Sequence, residues 1–353
     1  GNQVKQLLII CSIFLSSFIS ISCSSSSSSS STASTDNSSS TSSTTGLFVT
    51  VGATGNIQTS PDGITWTSRT SRTTKRLDKV IYGNGTYVIV GETGTILTSS
   101  DGTTWTSRTS GMTTDLTGII YANNIFVAIG RGIITSSDGI TWTSRSSETT
   151  NLNDVIYANN TFVTVGNSSV GSYGNIFTSS DGITWDNSTP NITNLNYLNK
   201  VTYGNGTFVA VGENILTSSD GTTWDNRTSG TSYDHKDVAY GNGTFLTGGG
   251  PIVGTSKTTL RTSSDNGVSW TLSDTGDGSQ RLNIVIYEKN MFMILGSSFN
   301  YTSTDGTTLS WTDSGGLANA NAVVYGNGIF VLVGPTGQIY TSPEGTKVTW
   351  TKR

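Results

Sequence analysis

Tryptophan recurs along this chain at a nearly constant interval, and that interval restricts the fold more than any other feature. The eight tryptophans lie at positions 66, 105, 142, 185, 224, 270, 311 and 350, with spacings of 37 to 46 residues. Each ends a segment like Thr135 to Trp142, TSSDGITW. A self-similar unit of about 40 residues indicates a repeat architecture, because one such unit cannot bury its apolar face alone.

A second motif recurs with the same period and completes the unit. It is clearest in VIYGNGTYVIVG, residues 80–91, and VTYGNGTFVAVG, residues 201–212. The two motifs predict four short strands per unit, A to D, rich in β-branched and aromatic residues. Asn-Gly and Asp-Gly supply the left-handed residues of tight turns between A and B and between C and D. Antiparallel four-stranded units of this length predict an all-β fold, a β-propeller.

The number of blades depends on the first unit. Residues 46–52 match strand B, but only a Ser/Thr stretch precedes them where strand A is expected. The chain ends on a strand D around Trp350, so its C-terminus has no spare strand to supply. Either the Ser/Thr segment forms a weak inner strand, or blade 1 has three strands. We favour eight blades, with seven as the alternative.

The tryptophan segment resembles the Asp-box, the bacterial neuraminidase repeat of sialidases, sortilin-type receptors and photosystem II assembly-factor propellers. Ser263 to Trp270 has the Ser-x-Asp-x-Gly-x-Thr-Trp spacing, with Ser269 in place of Thr; five copies are one residue shorter between Asp and Trp, and the copy at Asp305 is one longer. The resemblance covers residues 46–353. The acid and tryptophan of the eight copies are Asp62 and Trp66, Asp101 and Trp105, Asp138 and Trp142, Asp181 and Trp185, Asp220 and Trp224, Asp265 and Trp270, Asp305 and Trp311, and Glu344 and Trp350.

These turns are expected to be structural. An Asp carboxylate can accept backbone N–H groups across its own turn while Gly takes the positive φ. Each Trp can bury roughly 150–250 Å², a large share of what a blade of small residues has available. A catalytic acid or a calcium ligand is the weaker interpretation, since a chain does not need eight copies of a catalytic acid.

The N-terminus predicts export and an acyl anchor. Lys5 precedes an apolar stretch over residues 7–21, which is typical of a signal peptide. Ser20-Ile21-Ser22-Cys23 resembles a bacterial lipobox, which implies a signal peptide over 1–22 and a lipidated Cys23. The alternative is an ordinary signal with an incidental Cys. The resemblance also implies export by the Sec route. Because Ser24 follows the Cys, it implies anchoring in the outer membrane, on either the periplasmic or the outer surface.

The segment after Cys23 predicts a tether. Residues 24–31 are all serine, and almost no apolar residue follows up to 45. Such a segment cannot bury enough surface to offset its chain entropy, so 23–45 is expected to be a disordered leash. Both cysteines lie within the first 23 residues, so no disulfide is expected in the 46–353 domain.

By the same resemblance, the working face carries the B–C and D–A loops, opposite the Asp-boxes. These loops are the irregular parts of the repeat, and variation on one face of a regular scaffold is where binding usually resides. Merely tolerated insertions would look the same. The candidate binding residues of this face are Arg76, Lys79, Glu92, Arg131, Asp154, Tyr173, Lys200, Glu213, His235 and Asp237.

Two functions remain open. The first is a membrane-tethered binding, assembly or adhesion module with a protein or glycan ligand, which we favour; the second is a glycan-active hydrolase. The Phe/Tyr-Arg-Ile-Pro segment of sialidases is absent, and Arg69 stands at a repeat position three residues after a Trp, as do Arg108, Arg145 and Arg227. Glycosidases need two carboxylates roughly 5–9.5 Å apart. Close pairing among Glu92, Asp154, Glu213 and Asp237 would favour hydrolysis, whereas pairing with Lys79 or Lys200 would favour binding.

Composition excludes several other classes. The net charge is −4 and the 19 Lys and Arg residues are scattered, which argues against nucleic-acid binding. The single His, His235, rules out His-rich zinc chemistry and is expected in a loop. We expect no metal, no cofactor and a monomer.

Overall fold

The computed structural model describes residues 8–9, 20–23, 46–146, 150–168, 173–228, 234–250, 260–273, 282–296, 300–307, 312–313, 320–334, 337–343 and 348–353. Within these residues the chain forms eight antiparallel sheets, one after another along the sequence. Successive inner strands pack against each other around a ring, and the inner strand of blade 1 contacts that of blade 8. The prediction of an eight-bladed β-propeller is confirmed, and the seven-bladed alternative is wrong.

The strands are named A to D from the channel outwards. Blades 1 to 4 comprise Ser20–Cys23, Phe48–Val51, Ile57–Ser60 and Thr67–Arg69; Leu77–Gly83, Thr86–Gly91, Ile96–Ser99 and Thr106–Arg108; Leu116–Ala122, Ile125–Gly130, Gly132–Ser136 and Thr143–Ser144; and Thr150–Ala158, Thr161–Ser168, Gly174–Ser179 and Asp186–Asn187. Blades 5 to 8 comprise Leu198–Gly204, Thr207–Gly212, Ile215–Ser218 and Asp225–Arg227; His235–Gly241, Thr244–Gly249, Leu260–Ser263 and Thr271–Ser273; Leu282–Glu288, Met291–Gly296, Asn300–Ser303 and Thr312–Asp313; and Ala322–Gly326, Ile329–Val333, Ile339–Pro343 and Thr351–Lys352. Two 3₁₀ turns, Ala53–Gly55 and Glu92–Gly94, form the B–C loops of blades 1 and 2.

Blade 1 takes its inner strand from ahead of the serine run, which corrects both sequence alternatives. Ser20–Cys23 pairs with Phe48–Val51, with Ser20 opposite Val51 and Cys23 opposite Phe48. A short fifth strand, Leu8–Ile9, pairs with it on the inside. Ile21 gives this segment a strand propensity that the serine run lacks, because β-branched residues favour strands and serine does not.

Aromatic side chains form the core of each blade. The first aromatic residue of strand B is fully buried in seven blades, as Phe48, Phe126, Phe162, Phe208, Phe245, Phe292 and Phe330. From blade 2 onwards it packs on the strand A tyrosine of its own blade, with ring centroids 4.5 to 4.9 Å apart. That tyrosine also covers the previous blade, since a Cβ on Gly241 would lie 1.9 Å from the Tyr287 ring. Glycine in the Tyr-Gly-Asn motif therefore permits close packing between blades.

Hydrogen bonds within the tryptophan segment stabilise each C–D turn. In blade 1, Ser60 donates to the Asp62 carboxylate at 2.8 Å, and the same carboxylate accepts the Thr65 backbone N–H at 2.7 Å. The Trp66 indole N–H donates to the Gly63 carbonyl at 2.9 Å. The backbone N–H groups of Thr65 and Ile64 are the main reason that the pKa of Asp62 falls to about 2. Asp101, Asp138, Asp181 and Asp220 accept the equivalent backbone bonds, and Trp311 and Glu344 lie outside the described residues.

The ring is also fastened from blade to blade. On the face of the C–D turns, the Asn327 side chain of blade 8 donates to the Gly46 and Pro61 carbonyls of blade 1 at 3.0 and 3.2 Å. Near the channel, Asn153 donates to the Leu198 carbonyl of the next blade at 2.7 Å. Thr117, Asn199 and Asn283 donate from the same strand A position to the following blade. The position two residues before the Val-Ile-Tyr motif thus has a defined geometry, and the charged residues described below follow it directly.

Candidate functional site

Four charged residues of the inner strands occupy one position of the repeat. Each strand A from blade 2 to blade 7 has a β-bulge near its start. The residue directly after the bulge position is Lys79, Asp154, Lys200 or Asp237 in four blades and Gly118 or Ile284 in two; Ala322 stands at the matching position of the blade 8 motif. These charges were expected in loops, but the structure places them in strands and buries the side chains of Lys79, Asp154 and Asp237.

Asp154 and Lys200 form an ion pair between blades 4 and 5. The Lys200 Nζ lies 3.1 Å from the Asp154 Oδ1, and the side chains are 3% exposed for Asp154 and 18% for Lys200. The other carboxylate oxygen of Asp154 accepts the Val201 backbone N–H at 3.1 Å. Both oxygens of this carboxylate are therefore used to join two blades.

The Asp237 carboxylate also joins two blades, 6 and 7, by accepting backbone N–H groups. It accepts the backbone N–H of Val238 at 2.9 Å and that of Val285 at 2.8 Å. Burial raises the pKa of Asp237 to about 7, although the nearby Lys200 and the two N–H donors oppose the rise. Burial prevails because water cannot solvate the anion.

The channel between these strands is largely apolar. A cavity of about 460 Å³ is lined by strand A residues of blades 3 to 7, including Tyr121, Tyr157, Tyr240 and Tyr287. Asp154, Lys200 and Asp237 lie on its wall. A catalytic carboxylate must be able to contact the substrate, whereas the Asp154 and Asp237 carboxylates already accept backbone N–H groups of adjoining blades.

A second group of charges lies on the loop face around Arg76. Its guanidinium contacts the Asp78 carboxylate at 2.6 Å and the Asp115 carboxylate at 3.0 Å. The Glu92 carboxylate accepts the Arg76 backbone N–H at 3.0 Å, and Asp115 accepts that of Thr93 at 2.9 Å. These contacts fix the D–A loop before blade 2 to the two adjacent loops.

A third group lies on the same face at blades 4 to 6, and we call it the Tyr197 cluster: Tyr173, Asn196, Tyr197, Glu213, Asp234 and Lys236. Tyr173 is 64% exposed and its backbone bridges to Asn196, whose side chain donates to Glu213. Lys236 pairs with Asp234, and its Nζ lies 5.9 Å from the centroid of the Tyr197 ring. Burial, together with Asp234 and Glu213, raises the pKa of Tyr197 to about 12. Tyr173 and Glu213 of this cluster were predicted from the sequence. The other members were not, because Asn196 and Tyr197 lie in a stretch without a motif.

The remaining predicted residues do not join these groups. Arg131 is exposed in the B–C turn of blade 3. His235 is fully buried as the first residue of its strand, which corrects its expected place in a loop. It occupies the position filled by Leu77, Leu116, Leu152, Leu198 and Leu282 in other blades. The ten candidates therefore form three groups and two isolated residues, not one site.

One residue of the loop face has a strained backbone that its counterpart avoids. Arg72 has φ 59°, and Gly111, at the matching place in the next D–A loop, has φ 74°. In both loops the preceding serine hydroxyl, Ser71 or Ser110, bonds to the residue two positions on. A side chain in this left-handed conformation costs roughly 1–2 kcal/mol, which glycine does not pay. Comparison of the two loops in the sequence could have singled out Arg72.

Four arginines that follow a tryptophan by three residues remain on the blade exterior. Arg69, Arg108 and Arg227 lie on outermost strands, and each Nε donates to a strand C threonine at 2.7–2.8 Å; Arg145 makes the same bond. They form no triad.

In the described part of the chain, no three His, Cys, Asp or Glu side chains are placed to hold a metal ion. No helix described here has the length and hydropathy that crossing a membrane requires.

Comparison with known proteins gives the fold. No protein-family model and no curated protein matches the chain. The computationally designed protein Ika8 is similar in structure, with TM-score 0.63 and 12% identity over 79% of this chain and 87% of Ika8. YCF48 bound to a D1 peptide has TM-score 0.53 and 20% identity over 71% of this chain and 86% of YCF48. YCF48 from Cyanidioschyzon merolae has TM-score 0.51 and 16% identity over 74% of this chain and 94% of its own. At these identities the likeness establishes the propeller fold alone.

Proposed function

We propose that this propeller is a non-enzymatic module that binds a protein partner through the Tyr197 cluster on its loop face. The observation that carries the proposal is the Asp154–Lys200 ion pair, because it engages the carboxylate that a hydrolase would need. The alternative of a glycan-active hydrolase gains no support from this arrangement. The similar propeller YCF48 is bound to a D1 peptide, which supports a polypeptide ligand.

The Tyr197 cluster has the composition of a protein-binding surface. Tyrosine supplies contact area with a polar end, and it is enriched where proteins meet. Tyr173 stands exposed beside side chains that are already held by hydrogen bonds, so binding would order few groups. The two acids Glu213 and Asp234 and the base Lys236 can select a partner of complementary charge pattern.

A photo-crosslinking amino acid at Tyr173 of the full chain is expected to capture one partner in the native cell. The matched control is Ile64, which is exposed to a comparable extent, 47% against 64%, on the face of the C–D turns. We expect one dominant adduct from position 173 and none of that mass from position 64. The same adduct from both positions, or from position 64 alone, would contradict a loop-face site.

An acyl anchor on Cys23 is a further part of the proposal, and it rests on the lipobox resemblance. Palmitate labelling of the full chain, followed by membrane fractionation, tests it. Cys23→Ser is expected to abolish the label and release the chain, whereas Cys11→Ser, the other cysteine, leaves both unchanged. Persistent labelling of Cys23→Ser would exclude lipidation at this residue.

A further inference from the structure

Arg72 lines two adjoining hollows between blades 1 and 2. An upper hollow of about 810 Å³ and a lower one of about 270 Å³ share two lining residues, Arg72 and Trp105. We call the two together the Arg72 groove. Ligand sites commonly have volumes of about 300–1,000 Å³, so the upper hollow has room for a small oligomer.

The Arg72 groove is basic although the chain as a whole is acidic. Arg69, Arg72 and Arg108 line it, and none of the described residues lining it is Asp or Glu. Arg69 and Arg108 are held by bonds from Nε to Thr59 and Thr98, each at 2.8 Å, so their guanidinium groups have fixed positions. Arg72 is exposed, and no hydrogen bond or ion pair joins its side chain to any described residue. Three cations and no acid predict an anionic ligand.

Arg72 is retained in a conformation for which the matching loop uses glycine. Because Gly111 satisfies the same turn without strain, the turn itself does not require arginine. Residues held in this conformation cluster at ligand sites, although Thr54 and Thr93 adopt it in the B–C turns as well. The role available here is to hold a cation over the groove.

Trp105, which also lines the groove, differs from most of the other repeat tryptophans in its indole N–H contact. Trp66, Trp142, Trp185, Trp224 and Trp270 donate their indole N–H to the glycine of their own turn. The Trp105 indole is 3% exposed, and its N–H has no partner among the described atoms. The Trp350 N–H of blade 8 also lacks a partner among the described atoms, but Trp105 lines both hollows together with the arginines. A buried donor without a partner in such a place is consistent with a site completed by a ligand.

The uncharged lining is dominated by hydroxyl groups. Serine and threonine supply more than half of the residues of the upper hollow, and Met112 and Leu97 are its aliphatic members. Hydroxyls in this number suit a ligand that carries many hydroxyls of its own, whereas a peptide would need apolar pockets for its side chains. We infer that the Arg72 groove binds an acidic polysaccharide, one whose sugars carry carboxylate or sulfate groups. This site is separate from the Tyr197 cluster and does not depend on the proposed function.

Calorimetric titration of the full chain tests this inference, with oligogalacturonate, dextran sulfate, polyglutamate and neutral dextran as probes. Binding of at least one acidic probe is expected, weakening as salt rises, with none of neutral dextran. Arg72→Gly copies the residue of the next blade, so it should fold at least as well as the wild type. It is expected to lower the affinity about tenfold or more, since a charge-assisted contact is lost.

Arg131→Ala is the matched control, an exposed arginine outside the groove, and it should leave the affinity unchanged. Wild-type affinity in Arg72→Gly would overturn the inference, as would equal binding of neutral dextran. Tighter binding of polyglutamate than of either acidic polysaccharide would overturn it too, and would reassign the groove to a polypeptide. Crosslinking from Tyr173 in Arg72→Gly separates this result from the proposed function, because that adduct should persist.

Discussion

Replacing Lys200 with alanine is expected to lower the free energy of unfolding by about 3–5 kcal/mol, the cost of leaving a buried charge without its partner. Asp154 would keep only its bond from the Val201 N–H, and the nearby Asp237 would lose the same compensating cation. Small domains are stable by only about 5–15 kcal/mol, so this is a large fraction. Urea unfolding, followed by tryptophan fluorescence at pH 7.5, measures it.

A double-mutant cycle distinguishes this mechanism from simple loss of packing. Asp154→Ala/Lys200→Ala carries no buried carboxylate at position 154 and resembles the blades with Gly118 or Ala322 there. We expect the double variant to be destabilised less than the sum of the two single variants. Arg131→Ala, on the surface, should change stability by less than about 0.5 kcal/mol. Additive single effects below about 1 kcal/mol would show that the pair contributes little.

Replacing His235 with leucine is expected to stabilise the protein by about 1–3 kcal/mol at neutral pH, because a buried nitrogen without a partner is removed. The ring is fully buried; its Nδ1 lies 3.4 Å from the Thr247 hydroxyl, and Nε2 has no partner among the described atoms. Leucine fills this position in five other blades, so the site accepts its shape. Thermal and urea unfolding measure the gain.

The same substitution should remove a pH dependence. Burial, and to a lesser degree Arg261, lowers the pKa of His235 to about 4, against its ordinary value of 6.5. As the pH falls from about 6.5 to 4, only the unfolded chain takes up this proton, so the wild type loses on the order of 3 kcal/mol. Asp237 titrates in the opposite sense in both proteins, and the difference between them isolates His235.

His235→Gln is the matched variant for this second experiment. It lacks the titrating group but keeps a buried polar one, so it should lose the pH dependence without gaining stability at neutral pH. Parallel stability curves for wild type and His235→Leu between pH 4 and 7 would show that the imidazole is reached by solvent. The two substitutions together separate the cost of burial from the cost of protonation.

The tryptophan interval predicted the fold because every repeat solves the same packing problem. The Phe–Tyr contact, the Tyr-Gly approach and the Ser-x-Asp turn recur, so a period in the sequence becomes a period in space. The inner strand of blade 1 escaped prediction because Ser20–Cys23 is separated from its partner strand by the serine run. No local propensity reports a pairing across such a gap.

The site residues were predicted less well, for a related reason. Loop assignment from motif edges fails where a β-bulge adds one residue, and Asp154 and Asp237 lie directly after such bulges. His235 appeared to belong to a polar loop because its neighbours Asp234 and Lys236 are charged. Its alignment with Leu198 and Leu282 in the repeat indicates the core instead. Comparison of equivalent positions between blades is therefore more informative here than local polarity.

The pairing of Cys23 with Phe48 determines which way an anchored propeller would point. Phe48 begins strand B at the end where the C–D turns lie, so Cys23 emerges on that side of the disc. An acyl chain there would lay the tryptophan turns against the bilayer and direct the Tyr197 cluster outwards, whereas the Arg72 groove extends towards the tryptophan turns, because Thr103 and Thr104 line its lower hollow. Removal of residues 1–22 would take three of the four residues of the strand Ser20–Cys23, so blade 1 of a processed chain would keep only Cys23 of its inner strand.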